Sequence, residues 1–229
     1  RDPVLTEAAE LLGEQSGQSL DQVYRAIVVA GTNVFYSNGT VRTAVNTIID
    51  LTSFRKAQRQ LKNNNAKFFT KMVSASDGVG TTPIRAAYWC ILHPDVEYDA
   101  ENITGYISRA EYPAGKDAMD PFEIGAIRNV RLVSTTHGRV FTGGGSAGGA
   151  SVKETTGNAD VYASVIFGMD AYGVTPLTGH SLENIVKPLG SGGTNDPLNQ
   201  VATSGWKAMT AAIILDNSFM TRIESAASA

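Results

Sequence analysis

Cysteine is nearly absent: the 229 residues contain one, Cys90. A single thiol cannot build a disulfide framework, nor a zinc or iron–sulfur centre held by cysteines. Apolar runs are short, and none approaches the roughly 20 residues that cross a bilayer, so no membrane segment is expected. No secretory signal is visible, and the sequence opens on Arg1 in place of Met, which marks a processed chain or a fragment. Histidine is scarce as well. His93, His137 and His180 sit in no HExxH or nucleophile-elbow context. A Ser–His–Asp triad, whose members need not be neighbours in sequence, has no positive support. The chain also lacks a charge excess of one sign, with 19 Lys plus Arg against 22 Asp plus Glu. Hydrophobic residues make up 42% and mean hydropathy is −0.09. That composition folds and is not that of a disordered chain. The length suits one large domain or two small ones.

The small net charge conceals segregation. Residues 1–50 carry a net −3, 51–90 a net +6, 91–135 a net −4 and 136–229 a net −2. A basic block between acidic ones points to nucleic acid, to a charge-complementary subunit contact, or to one solvated helix face. The candidate contact residues are Arg55, Lys56, Arg59 and Lys62, on the outer faces of a helix predicted over 50–64. Its buried stripe would be Leu51, Phe54, Ala57 and Leu61, with Asp50 or Thr52 as the cap.

A longer helix is predicted over 3–30. Asp2-Pro3 would start it, apolar residues recur at helical spacing from Leu5 to Ala30, and Gly31 would stop it. Gly13 and Gly17 weaken this helix and suit close approach of another backbone. Strands are predicted within 33–41 before an Asn38-Gly39 turn, and at 86–92, 129–134, 160–167 and 221–224. Cys90 falls inside the apolar run 86–92 and is read as packing. Gly143–Gly149 is read as a flexible tip and Ser225–Ala229 as a disordered end. With a long helix, a mixed middle and a strand-rich end, the pattern reads as α+β.

Other candidate chemistry is thin. His93, Asp95, Glu97 and Asp99 would share one face and bind a metal only if that stretch were a strand, and Pro94 argues for a helix instead. The glycine runs 143–149 and 190–193 fail the phosphate-loop pattern. Neither a metal nor a cofactor is expected. A self-assembling structural protein and an enzyme with an unrecognised site both remain open.

Several collinear blocks resemble one family. They are Leu11–Gly17 with Leu20-Asp21, Ala30–Val34, Ile91–Val96, Asp160–Ala163, Phe167–Gly173, Ile185–Gly190, Asp196–Gln200 and Gly205–Lys207. Together they are similar to the major capsid proteins of tailed phages, in the branch typified by the coliphage called N-four. The resemblance implies an HK97-like capsid fold, non-catalytic, with a long spine helix, a peripheral sheet and an axial domain. It implies a peripheral part over 1–49, an axial domain over 50–185 and a return to the periphery over 186–229. The implied partners are further copies in hexamers and pentamers, packaged double-stranded DNA, and scaffolding, portal and decoration proteins. The implied location is the virion, after assembly in the host cytoplasm. Family members carry an N-terminal arm and an extended loop before the spine helix, whereas this sequence opens almost at that helix. An encapsulin-like compartment shell is the nearest alternative.

Overall fold

The computed structural model describes residues 4–75, 80–113, 120–176, 182–193, 197–198 and 200–229. The predicted helix start at Asp2-Pro3 and His180 lie outside them. Helix α1 runs Val4–Val29, α2 Leu51–Asn63 and α3 Pro94–Glu101. The strands are β1 Val34–Tyr36, β2 Tyr88–Leu92, β3 Tyr106–Ser108, β4 Glu123–Ile127, β5 Val130–Ser134, β6 Arg139–Phe141 and β7 Glu154–Thr155. They continue with β8 Asn158–Ala159, β9 Val161–Phe167, β10 Tyr172–Pro176, β11 Glu183–Lys187, β12 Thr203–Lys207, β13 Thr210–Ile214 and β14 Met220–Ser225.

The chain divides into two compact units. One comprises Arg25–Tyr172 and Ile214–Ala229, the other Arg1–Tyr24 and Gly173–Ile213. The larger is built on an eight-stranded sheet of order β1-β14-β9-β2-β5-β4-β3, with β6 also paired to β9. Strand β9 is apolar nearly throughout and buried at every position, as suits a strand covered on both faces. On one face α2 and α3 supply Phe54, Ala57, Leu61, Val96 and Ala100 to a core shared with Tyr88, Cys90, Leu92, Leu132 and Ile166. On the other face Val28 and Val29 join Ala163, Val165, Phe167 and Met220. Cys90 sits in the first core, fully buried, where desolvation pushes its thiol well above the usual range. That environment suits packing and not nucleophilic chemistry.

Asp50 caps α2, its Oδ1 accepting from Ser53 N at 2.8 Å and from Ser53 Oγ at 2.7 Å. Helix α1 ends differently from expectation, because Gly31 is not left-handed. Instead the Arg222 guanidinium reaches back from β14 and donates to the Val29 and Gly31 carbonyls. An outside cation thus satisfies carbonyls that a helix end leaves unpaired.

The short strand before the Asn38-Gly39 turn is present as β1, which pairs in parallel with β14, Val34 opposite Arg222. Asn38 works as a hub in that turn, accepting from Asn46 N and Thr47 Oγ1 and donating to Ala44 O. Two other expectations are corrected. The 143–149 run is no flexible tip. A Cβ at Gly145 would stand 2.1 Å from Val45 O, and Gly148 N and Gly149 N both donate to Glu154 Oε1. These glycines let backbones approach each other, so the loop is packed. The last residues are not a loose end either. Ala226 and Ala227 are fully buried, and Asp99 accepts from Ser228 N at 2.9 Å and Ser228 Oγ at 2.7 Å.

In the smaller unit, β10 pairs with β13, and β11 pairs antiparallel with β12 from Glu183 opposite Lys207 to Lys187 opposite Thr203. Gly13 and Gly17 of α1 face open space, with nothing within 4 Å of an added Cβ. Among the described residues no backbone packs there. Gly13→Ala and Gly17→Ala are therefore each expected to raise the unfolding free energy by about 1 kcal/mol, the helix-propensity difference. Urea denaturation checks this, and a loss of stability in either variant would contradict the open geometry.

Candidate interaction surfaces

Helix α2 turns Phe54, Ala57 and Leu61 into the core and leaves its cations outside. Arg55, Arg59 and Lys62 follow i, i+4 and i+7, a rise of about 10 Å along one helical face. They line an open groove of about 380 Å³ with Gln58, Asn63 and Arg128. Lys56 lies on the other flank and does not line it. Every lining side chain offers N–H donors, and none is a carboxylate or an aliphatic or aromatic group. Gln58 is buried, its Nε2 donating to Ile127 O at 3.4 Å, which fixes the groove floor to the end of β4.

Arg128 is the member that sequence reasoning missed. It forms, with Asn129, the two-residue turn joining β4 to β5, across the Ile127–Val130 pair. Its φ is +55°. A positive φ at the first position of such a turn is usually reserved for glycine. Asn129 anchors the turn, donating from Nδ2 to Ala86 O at 2.7 Å while its carbonyl accepts from Tyr88 N at 2.8 Å. Lys62 Nζ meets Asn129 Oδ1 at 3.4 Å.

The acidic stretch 91–123 is reduced by internal use. Asp95 accepts from Lys153 Nζ at 2.6 Å and Tyr162 Oη at 2.8 Å. Burial alone would raise its carboxyl, yet these bonds and the facing His93 and Lys153 hold it below the usual range. Asp99 is taken by Ser228. Glu123 is buried with Arg131 at 3.7 Å and accepts from Tyr112 Oη at 2.8 Å. Glu97, Glu101 and Glu111 remain gathered around Tyr106. Burial first, and then these carboxylates, push its phenol above the usual range.

The His93–Asp99 stretch is a helix with its cap, so its alternating residues do not converge. His93 Nδ1 accepts from Asp95 N at 3.2 Å as the cap of α3. Among the described residues no group of three or more His, Cys, Asp and Glu could hold a metal ion. No helix among them is long and apolar enough to cross a membrane. Burial lowers the His93 imidazole below the usual range, Asp95 opposes this and Lys153 adds to it. The unfolded state then takes up the proton first, so stability falls as pH drops below about 6.5. Between pH 7.5 and 5.5 this amounts to at most about 1 kcal/mol after screening of a half-buried group. His93→Asn keeps a capping acceptor that does not titrate. Melting curves at the two pH values are expected to show a smaller pH-dependent drop in that variant than in the parent chain.

In the smaller unit the β11–β12 ribbon is a third surface. All five residues of β11 are exposed, including Ile185 and Val186, and Leu182 and Leu189 flank them, exposed too. An isolated two-stranded ribbon is marginal in water and offers two open edges.

No protein-family model matches this chain, and no curated protein matches it. Solved structures do. The capsid of Ralstonia phage GP4 superposes on 98% of this chain and 67% of its own, with a TM-score of 0.68 at 14% identity. The head structure of Helicobacter pylori bacteriophage KHP40 covers 98% of this chain and 70% of its own, at TM-score 0.56 and 10% identity. The capsid of the cyanophage P-SCSP1u covers 97% and 66%, at 0.54 and 16%. The chain therefore spans about two thirds of the length of these structures. At such identities the likeness is one of fold: this mixed α+β chain has the fold of phage capsid and head proteins.

Proposed function

We propose that this chain is the major capsid subunit of a tailed phage and closes, with its copies, into an icosahedral shell around the genome. The observation that carries this reading is the superposition of 98% of the chain on the Ralstonia phage GP4 capsid. The collinear sequence blocks support the finer assignment to the HK97-like fold and to the N-four branch. On this reading α1 is the spine helix. The peripheral parts lie in 1–49 and 186–229 and the axial domain in 50–185. The compact units break elsewhere, after Tyr24, Tyr172 and Ile213. Those boundaries record packing within one copy, whereas peripheral and axial describe position around a capsomer.

The function is geometric and needs no turnover. Each contact between copies is weak, and closure of a symmetric array multiplies it. The exposed β11–β12 ribbon supports this, because a second copy would cover apolar residues that one copy leaves open. The partners follow from the reading: hexamers and pentamers of the same chain, double-stranded DNA inside, and scaffolding, portal and decoration proteins at assembly in the host cytoplasm.

Electron microscopy of the purified full-length protein is the test. Closed shells are expected. Shells filled with enzyme cargo in place of DNA would favour the compartment alternative, and a protein that stays monomeric at high concentration would overturn the shell reading.

A further inference from the structure

We propose that the groove of Arg55, Arg59, Lys62 and Arg128 is a binding site for the phosphodiester backbone of nucleic acid. The shell reading explains why nucleic acid would be at hand, and the proposal rests on it in that respect only.

Four cations share one groove of about 380 Å³, with no carboxylate in its lining. None of the four has an ion pair among the described residues. Such a cluster repels itself and is favoured by an anion that neutralises it. Three of the four are arginines, whose planar forks match phosphate oxygens two at a time. Gln58 and Asn63 add amide groups and no net charge, so the lining supplies donors from every side. The three α2 cations form a row about 10 Å long. A row suits a chain of repeated charges better than a single small ion.

Arg128 gives a second line of argument. It stands at a positive-φ turn position where glycine would cost less. The turn gives up local stability to present a guanidinium to α2. Arg128 is exposed, so burial of its side chain does not offset the strained turn, and such an outlier points to a functional role.

A second protein surface fits less well. Interface cores between proteins are rich in apolar and aromatic groups, and this groove has none. Three of the eight acidic residues in 91–123, Asp95, Asp99 and Glu123, are engaged within the chain, which leaves another copy fewer to bring. Phosphate contacts also carry no base information, so the site is expected to be indifferent to sequence.

The test uses the full chain and a fluorescently labelled DNA duplex of random sequence, followed by anisotropy from 50 to 200 mM NaCl. Each phosphate neutralised contributes about −0.9 to the slope of log K against log salt. The triple variant Arg55→Ala, Arg59→Ala, Arg128→Ala is therefore expected to flatten that slope by roughly two to three, and to weaken binding at least tenfold at 100 mM salt. Arg128→Gly alone supplies the residue the turn prefers. It is expected to fold at least as stably as the parent and still to lose about one unit of slope. The matched control Lys56→Ala, Lys67→Ala, Lys71→Ala removes equal charge outside the groove and is expected to change the slope less. Equal losses in control and groove variants would reduce the effect to diffuse charge and overturn the site. So would unchanged binding in the triple variant, or normal DNA binding with failed shell formation, which would reassign the groove to a subunit contact. A parent chain that binds DNA through the groove but forms no shells would overturn the functional reading and leave this one standing.

Discussion

Replacing Glu224 with alanine is expected to lower the unfolding free energy by about 3–5 kcal/mol, the usual cost of leaving a buried charge without its partner. Glu224 is fully buried on β14. Arg42 donates to it twice, from Nε to Oε2 at 2.8 Å and from Nη2 to Oε1 at 2.7 Å. Arg222 Nε approaches Oε1 at 2.8 Å. The carboxylate thus holds two guanidiniums. One of them carries the end of α1 through the Val29 carbonyl, and the other lies over the Phe141 ring at 3.5 Å. Without Glu224 both cations lose their counter-charge, and Arg222 is too buried to recover full hydration. Arg42→Ala is expected to cost less, because Glu224 keeps Arg222 and the Arg42 side chain is 34% exposed. The double variant should cost less than the sum of the two. Urea denaturation of the three variants measures this, and strict additivity would show that the triad does not act as a unit.

Deleting Ala226–Ala229 is the second large effect. The tail donates from Ala226 N to Thr47 O and accepts from Lys153 N at Ala227 O, both at 2.9 Å. Its Ser228 is the bonding partner of Asp99, a buried residue of α3. Several hydrogen bonds at about 1 kcal/mol each, with an unpaired buried carboxylate at about 1–3, total roughly 4–6 kcal/mol. That is a large part of the 5–15 kcal/mol that holds a typical domain together. The melting temperature is expected to fall by roughly 10–20 °C in a chain of this size. A truncated chain melting with the intact one would show that the tail only decorates the core. Asp99→Asn in the truncated background is expected to recover part of the loss, since a neutral amide is cheaper to leave half-satisfied than a carboxylate.

These two sites show where sequence reasoning stopped. Elements whose cause is local were legible. The Asp50 cap and the Phe54–Ala57–Leu61 stripe announce α2, and the apolar run 161–167 announces β9, because cap chemistry and periodicity act within a few residues. Arg131 was not legible. Its alternation in β5 reads as an outward residue, yet it is 2% exposed. What buries it is Glu123 on the neighbouring strand and Tyr112 from a preceding loop, and spacing along one strand cannot reveal either. The tail misleads in the opposite way. Small residues such as Ala226, Ala227 and Ser228 resemble a disordered end, but small side chains are what fit the narrow space beside α3. The basic helix was legible as four cations, of which the fold sorts three into a groove and sets one apart. The fourth groove member, Arg128, comes from a turn 66 positions beyond Lys62.

The place of β14 in the sheet has a consequence for how the protein is made. It lies between β1 and β9, and β1 has no other strand partner among the described residues. A strand near residue 35 must therefore wait on the ribosome for one near residue 222. Until then β1 has no ladder, the end of α1 lacks its arginine, and one edge of β9 lies open. Chains whose contacts span such separations fold late and slowly. A nascent chain that has not yet extended past residue 225 therefore cannot present the finished sheet.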